Sequence, residues 1–366
     1  MGNNTKFVVW IGFLCIIMAL GLWAAITTIN KGLIVTGMNN QVAWGIWEAV
    51  YIFFTGLSAG SFFLSALGVF GVKTFKPVSR IAVLLAIILL MMAPVFLFVG
   101  LGRPWRFINL YLNFNPTSPI SWGSWLLSFY PVVCIVYLYG LIKDNKKLAT
   151  IFGILGVPTA IATHGYTGVL LGFIKARALW HTPLMPILFL TSAVVSGAAL
   201  LIIVLVVFSK FTSLKIERDL IFKIGRFLLW FLVFDLFIFL CEVLTTLSGG
   251  IPHHYDSLML LLTGRYAFLF LGVEILLGTM IPLLLLASLG RKISILIIAS
   301  IMVIVGVFTM RFNVVVGGQI IQPYGGPLGT YIPTIVEWSF IIGVFALGVF
   351  LYSFGAKFLP LTVKTE

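Results

Sequence analysis

Ten long apolar runs occupy most of the sequence, at approximately 7–29, 46–72, 80–101, 121–142, 148–171, 183–208, 227–247, 265–289, 293–312 and 333–356. A helix needs about 20 apolar residues to cross a bilayer core, and within lipid only a helix satisfies every backbone group inside one segment. Each run therefore reads as a spanning helix. The expected fold class is an all-α integral membrane protein with about ten transmembrane helices, forming one membrane domain over residues 1–366 with almost nothing left for a soluble one. Composition agrees, since 9% of residues are charged against about 25% in ordinary soluble domains. The first run follows Lys6 and resembles a signal peptide, but it exceeds the roughly 7 to 15 residues of such a core, so a retained helix is expected.

The net charge of +13 raises the question of nucleic acid, and its placement answers it. Alternating the loops from side to side puts 16 of the 23 Lys and Arg on the side of the termini, among them Lys6, Lys73, Lys76, Arg80, Lys143, Lys215, Arg218, Arg291 and Lys364. The other side holds seven: Lys31, Arg103, Arg106, Lys175, Arg177, Arg265 and Arg311. The positive-inside rule then places both termini in the cytoplasm of a cell-membrane protein. Anionic lipid is the expected partner of the basic side, and nucleic acid is not.

The two sides differ in loop chemistry as well. The basic connections are mostly short. The outer ones, such as "GLGRPWRFINLYLNFNPTSPISWGSW", "FIKARALWHTPLMP" and "LSGGIPHHYDSLMLLLTGRY", are long and dense in Gly, Pro, Asn, Trp and Tyr. Aromatic belts and ordinary turns account for many of these residues singly. Loops held over a rigid bundle are also where binding surfaces sit, so a partner protein is expected on that face. Arg103 and Arg106 in "GRPWRF", with Lys175 and Arg177 in "KARALW", are its candidate docking cations; snorkelling to headgroups is the alternative.

Of ten acidic residues, Glu48, Asp235, Glu242, Glu274 and Glu337 fall within or at the rim of spanning runs. An intramembrane carboxylate costs about 2.5 to 3.5 kcal/mol and is a functional candidate for that reason. Glu48 lies shallow in helix 2. Glu242 lies about 9 Å below the outer end of helix 7 at 1.5 Å per residue, with Asp235 about two turns deeper on the same face. Glu274 is at middle depth on helix 8. Together these could form a proton route from the rim towards the midplane. The alternatives are a helix-dipole role for Glu48, hydrogen-bonded or ion-paired packing for Asp235 and Glu242, and a helix-end role for Glu337.

On helix 2, Glu48, Tyr51, Thr55 and Ser58 make a polar stripe at three- and four-residue steps. The small residues of "TGLSAGS" below it would admit a neighbouring backbone or a flat ligand. His164 and Tyr166 in "THGYTG" stand at the outer end of helix 5, level with Glu48 and Glu242 by depth. A bis-histidine haem site needs two opposed helix histidines, and only His164 is inside a run, so no haem is expected. Cys15, Cys134 and Cys241 stand alone with no CxxC spacing, which argues against an iron-sulfur cluster or zinc in this chain and leaves no metal ligands to assign.

As a set, "MNNQVAWGIWEAVYIFFTGLSAG", "GLGRPWRFINLYLNFNPTSPISWGSW", "YTGVLLGFIKARALWHTPLMPILFLTSAVVSG", "RYAFLFLGVEILLGTMIPLLLL" and "YIPTIVEW" resemble the membrane subunit of the polysulfide reductase type, the NrfD-like family. The resemblance runs over about residues 36–340. It implies two four-helix bundles, helices 2–5 and 6–9, flanked by helices 1 and 10 as in the longer branch of the family. It further implies a cofactor-free subunit that binds a quinone, menaquinone above all, near the outer face. Electrons would pass to a ferredoxin-like iron-sulfur subunit docked there and on to a catalytic subunit, a molybdopterin enzyme or a multihaem cytochrome. The family's ring-binding Asn and His before the "GLxxG" segment fall on Glu48 and Tyr51, so this chain departs from the pattern at both. The "YTG" tyrosine falls on Tyr166, and the acid of the second bundle on Glu242 or Asp235.

The expected function is thus a quinone-binding subunit of a respiratory oxidoreductase complex, with Glu48 and Glu242 as proton acceptors beside Tyr51, His164 and Tyr166. Asp235 and Glu274 would extend the proton route. The competing expectations are a proton-coupled secondary transporter, since ten helices with buried acids also suit a carrier, and a passive membrane anchor.

Overall fold

The computed structural model describes residues 2–211 and 217–361; Lys215 and Lys364 of the charge pattern lie outside them. Ten helices are long and apolar enough to cross a membrane, and no strand occurs among the described residues. They are α1 (Gly2–Lys31), α2 (Ile46–Val69), α3 (Ser79–Gly100), α4 (Pro119–Ile142), α5 (Lys146–Gly172), α6 (Met185–Phe211), α7 (Arg218–Ser248), α8 (Phe268–Leu289), α9 (Ile293–Gly317) and α10 (Ile335–Phe358). All ten expected runs are present. The protein is a multi-pass membrane protein.

Two ends differ from expectation. α7 begins at Arg218 rather than near 227, because its basic first turns continue as helix with Asp219 and Lys223 paired at 2.6 Å. α9 continues past 312 to Gly317, its last five residues, Asn313–Gly317, wound as a π-helix. Arg311, counted among the cations of the loop-rich side although the ninth run reaches 312, lies inside this spanning helix and is 1% exposed. The loop-rich side therefore carries one cation fewer than the charge pattern assigned to it. A further helix, Pro252–Thr263, fills a connection read as loop, with proline in its first turn where the missing N–H is not needed.

Packing closes the helices into two rings. α2, α3, α4 and α5 form the first bundle and α6, α7, α8 and α9 the second, each helix touching the next and the last touching the first. Lipid offers no hydrophobic drive between helices, so close backbone approach has to supply the attraction. The seam between the bundles does this at α2 and α6: a Cβ on Gly60 would overlap the Ala193 carbonyl oxygen, and one on Gly197 would meet the Gly60 backbone at 2.6 Å. α1 and α10 pair through Gly21 and Gly343, and α10 rests on α3, where Gly348 receives Met92. Outward faces such as Trp230, Phe234 and Phe237 on α7 are exposed and apolar, as lipid contact requires.

The long connections gather on one face, here the loop-rich face. At that face Thr334 and Glu337 cap α10 in a reciprocal box. The Glu337 carboxylate is wholly buried and satisfied by the N–H groups of Gly37 and Thr334 at 2.8 Å and the Tyr331 hydroxyl at 2.6 Å. Tyr331 Oη in turn accepts the N–H of Ile46, the first residue of α2. One carboxylate thereby holds the starts of α2 and α10 together. The helix-end expectation for Glu337 agrees with this geometry.

Candidate functional site

The loop-rich end of the first bundle brings Glu48, Tyr51 and Tyr166 to neighbouring positions. Glu48 is the third residue of α2, and its Oε2 accepts the N–H of Gly45 at 2.8 Å, capping the helix. Its Oε1 faces Gly100 at the end of α3, where an added Cβ would stand 3.2 Å away. Helix capping therefore occupies one oxygen of Glu48 and leaves the other towards the bundle. Less than one turn further, Tyr51 Oη lies 2.7 Å from Tyr166 Oη of α5, and Tyr166 in turn lies over Gly123 of α4. A hydroxyl pair uses one of its two hydrogens for the mutual bond, so the other is available to a ligand.

One turn deeper, Thr55 Oγ1 lies 3.3 Å from His164 Nδ1, and Gly56 leaves room for the imidazole. His164 is completely buried. Its Nε2–H donates to the Phe189 carbonyl of α6 at 3.0 Å, so Nδ1 is the basic nitrogen and points back towards α2. The same carbonyl accepts from Arg311 Nη2 at 3.1 Å, which also donates to Ser192 Oγ at 2.6 Å. The guanidinium lies over the Phe189 ring at 3.9 Å and 3.3 Å from His164 Nε2.

Beyond Arg311 are the acids of the second bundle. Asp235 of α7 accepts from Thr191 of α6. Glu274 of α8 accepts from Asn313 Nδ2 of α9 at 2.7 Å. Both acids line a cavity of about 30 Å³, with Ser192, Thr279 and Met310 among its other walls. Glu274 lies in the π-helical stretch Phe268–Met280, and Asn313 opens that of α9. Such wide turns shift side chains out of α-register and often occur at functional positions. Among the described residues neither acid forms an ion pair.

Glu242 stands apart from both groups. Half-buried on α7, it accepts from Thr182 at 2.7 Å in the α5–α6 connection. Of the four docking candidates, Arg103, Arg106 and Lys175 are exposed. Arg177 is turned inward, donating to the carbonyls of Gln319 and Ile321 at 3.0 and 2.9 Å, and its partial burial lowers the guanidinium from its usual range. Gln319 binds the backbone of Ala43 and Trp44, and Trp44 stacks on Trp180, so these loops lock to each other above the bundles. Burial, then the charge of Glu337, raises the Tyr331 phenol, which keeps it a donor.

Residues 34–323 match the family described as polysulphide reductase, NrfD. The chain belongs to the NrfD family. The matched NrfD region contains α2 to α9, both bundles, and leaves α1 and α10 outside it. Among similar proteins are a selenate reductase subunit of Mesobacillus selenatarsenatis, 27% identical with 96% of this chain and 94% of that protein aligned, and the Hdr-like menaquinol oxidoreductase integral membrane subunit of Archaeoglobus fulgidus, 28% identical with 98% and 95% aligned. The protein NrfD of Escherichia coli is 25% identical over 75% of this chain and 95% of its own length. The last is a shorter NrfD form, in keeping with a ten-helix chain on the longer side.

Sequence reasoning missed Arg311 and Asn313. Ending the ninth run at 312 counted Arg311, at its edge, with the outer connection, although "VVVGG" follows "RFN" and resumes the apolar run. A second signal was available: Asp235, Glu242 and Glu274 inside spanning runs mark a polar interior in which an arginine can also be held.

Proposed function

We propose that this NrfD-family protein is the quinone-binding membrane subunit of a respiratory oxidoreductase complex, exchanging electrons between the membrane quinone pool and an iron-sulfur subunit docked on the loop-rich face. The observation that carries the reading is the Tyr51–Tyr166 hydroxyl pair, with a hydrogen to spare, at the end of the first bundle beside Glu48. A quinone presents two carbonyl oxygens on a flat ring, and its oxidised and reduced forms differ by two electrons and two protons. The pair can donate to one such oxygen, while Gly100 and Gly123 keep α3 and α4 free of side chains there. Glu48 Oε1 is placed to take a proton, and His164 Nδ1 is the next base inward. The names of relatives point to menaquinone, since the Archaeoglobus protein is a menaquinol oxidoreductase subunit.

In this reading the loop-rich face is outside the cell membrane, both termini are cytoplasmic as the positive-inside bias requires, and Arg103, Arg106 and Lys175 meet the partner. The partner connects to a catalytic subunit of the molybdopterin or multihaem class. Asp235 and Glu274 extend the proton route inward from His164, and Glu242, held by Thr182, is a separate acid near the rim of the second bundle.

Purification with native partners tests this. Co-purification of an iron-sulfur protein, together with reduction of its clusters by a menaquinol analogue, is the expected result. Quinone-independent solute uptake by the purified protein would instead support a proton-coupled carrier, for which the acid-lined cavity of the second bundle would serve.

A further inference from the structure

Arg311 is the residue on which the two bundles meet. Its guanidinium is held by the Phe189 carbonyl and Ser192 of α6, stands 3.3 Å from His164 of the first bundle, and leaves its own Nε with no partner. On the other side, across the cavity that Ser192 also lines, are Asp235 and Glu274, which form no ion pair with it among the described residues, and the buried Asn313 Oδ1, which also has no partner. The cavity lined by both acids and Ser192 has about 30 Å³, room for about one water. Among the described residues, the titratable groups around Arg311 are His164 from α5, Asp235 from α7 and Glu274 from α8; α6 contributes the Phe189 carbonyl and ring and the Ser192 hydroxyl, and Met310 Sδ lies 3.3 Å from Nη1.

We propose that Arg311 is a positioning residue that couples proton uptake at His164 to proton release from Asp235 or Glu274, by shifting its guanidinium from the Phe189–Ser192 cradle towards those acids. The inference rests on the proposed quinone reading for the source of the first proton. A carboxyl with no cation partner in the membrane interior is held in its neutral form, because its ionised form would be stranded there. A proton arriving on His164 Nδ1 makes the ring an imidazolium, with guanidinium 3.3 Å from its other nitrogen. Like charges at that distance repel strongly inside a low-dielectric core. The flexible arginine stem can move the charge into the cavity, where it meets a carboxyl and where its Nε gains an acceptor. The approach of a cation stabilises the ionised carboxylate, and that carboxyl releases its proton out of the cavity to bulk solvent. One proton enters at His164 and one leaves at the acid, so no net charge accumulates around the arginine.

The test is redox-difference infrared spectroscopy of the intact complex reduced with a menaquinol analogue, reading the carbonyl band of protonated carboxylic acids. The native complex is expected to lose such a band on quinol oxidation, and D235N or E274Q to remove it, which assigns it. R311Q is expected to lose the change while still oxidising quinol, and R311K to restore it, which a merely structural arginine would not require. A native complex with no carboxyl change, or R311Q with the native change, overturns the proposal. Should R311Q not assemble, S192A removes the closest contact of the cradle and is expected to shift the arginine to the acids beforehand, abolishing the change; its persistence overturns the proposal equally. A native complex that oxidises no quinol overturns the proposed function, and is thereby distinguished from failure of the coupling.

Discussion

The hydroxyls of Tyr51 and Tyr166 lie 2.7 Å apart and join α2 to α5 at the loop-rich end of the first bundle. Both rings remain packed if either hydroxyl is removed, so Tyr51→Phe and Tyr166→Phe isolate the polar function. A neutral hydrogen bond is worth about 0.5 to 1.5 kcal/mol net, which corresponds to a rise in the KM for quinol of about two- to tenfold for each variant. The double variant is expected to show less than the product of the two, because both hydroxyls serve one ligand oxygen. Steady-state turnover of the complex with a quinol analogue measures this. Unchanged KM in both single variants would reduce the pair to packing.

Glu48 and Glu337 are both capping residues, and substitution by glutamine is expected to separate them. Glu48→Gln keeps an amide oxygen for the Gly45 N–H, so the cap and the melting temperature are retained. It removes the proton acceptor, with an expected fall in turnover of about 100-fold, typical of a lost general base. Glu337 accepts from Gly37, Thr334 and Tyr331, and an amide there points an N–H at one of these donors. Its expected signature is a loss of stability of about 3 kcal/mol, the scale of a hydrogen bond to a charged group plus an unsatisfied donor. Thermal unfolding beside turnover reads both. A native rate in Glu48→Gln would return Glu48 to a cap alone.

The number and placement of the helices were legible because both are fixed by length and hydropathy, quantities carried by the chain itself, whereas their grouping into two bundles came from the family resemblance. The polar stripe of α2 was legible too, since Tyr51, Thr55 and Glu48 recur at helical spacing. That Tyr166 and His164 stand near it was expected from depth and the family resemblance; the individual contacts, Tyr51 with Tyr166 and Thr55 with His164, were not legible because those residues arrive from another helix. Depth alone grouped Glu242 with Glu48, whereas Glu242 sits with Thr182 at the second bundle. Arg311 was hidden by the assumption that a cation near the end of an apolar run marks the membrane surface. The π-helical end of α9 carries the chain further, and tertiary contacts with His164 and Ser192 hold the charge inside. Docking residues were legible only as cations. Nothing local distinguishes Lys175, which stays exposed, from Arg177, which turns onto the carbonyls of another loop.

Gly60 sets the distance between the bundles. A Cβ there would overlap the Ala193 carbonyl oxygen, a contact with backbone that no rotamer can relieve. Gly60→Ala is expected to cost about 1 to 3 kcal/mol, the range for forced overpacking, and to lower the melting temperature of the detergent-solubilised protein. Gly12→Ala on α1 is the control, since nothing lies within 4 Å of its added methyl. Equal melting of the two variants would mean that the seam yields by sliding α6 along α2.

The exposed and the inward-turned cations of the loop-rich face are expected to fail in different ways. Arg103, Arg106 and Lys175 have no structural duty visible in the fold, so reversing their charge leaves the protein folded and weakens its hold on an acidic partner surface. Single exposed pairs contribute about 0.2 to 1 kcal/mol, so the triple reversal is expected to lower affinity by about tenfold. The loss should shrink in high salt, where the screening length falls to about 3 Å at 1 M. Arg177→Ala removes the two donors that fix the carbonyls of Gln319 and Ile321, and with them the platform of Trp44 and Trp180. Its effect on partner binding is therefore expected to persist at high salt and to accompany faster proteolysis of the α9–α10 connection. Binding measured at two ionic strengths, beside limited proteolysis, separates the two. A salt-independent loss in the triple variant, with intact loops, would show that the partner reads shape on this face rather than charge.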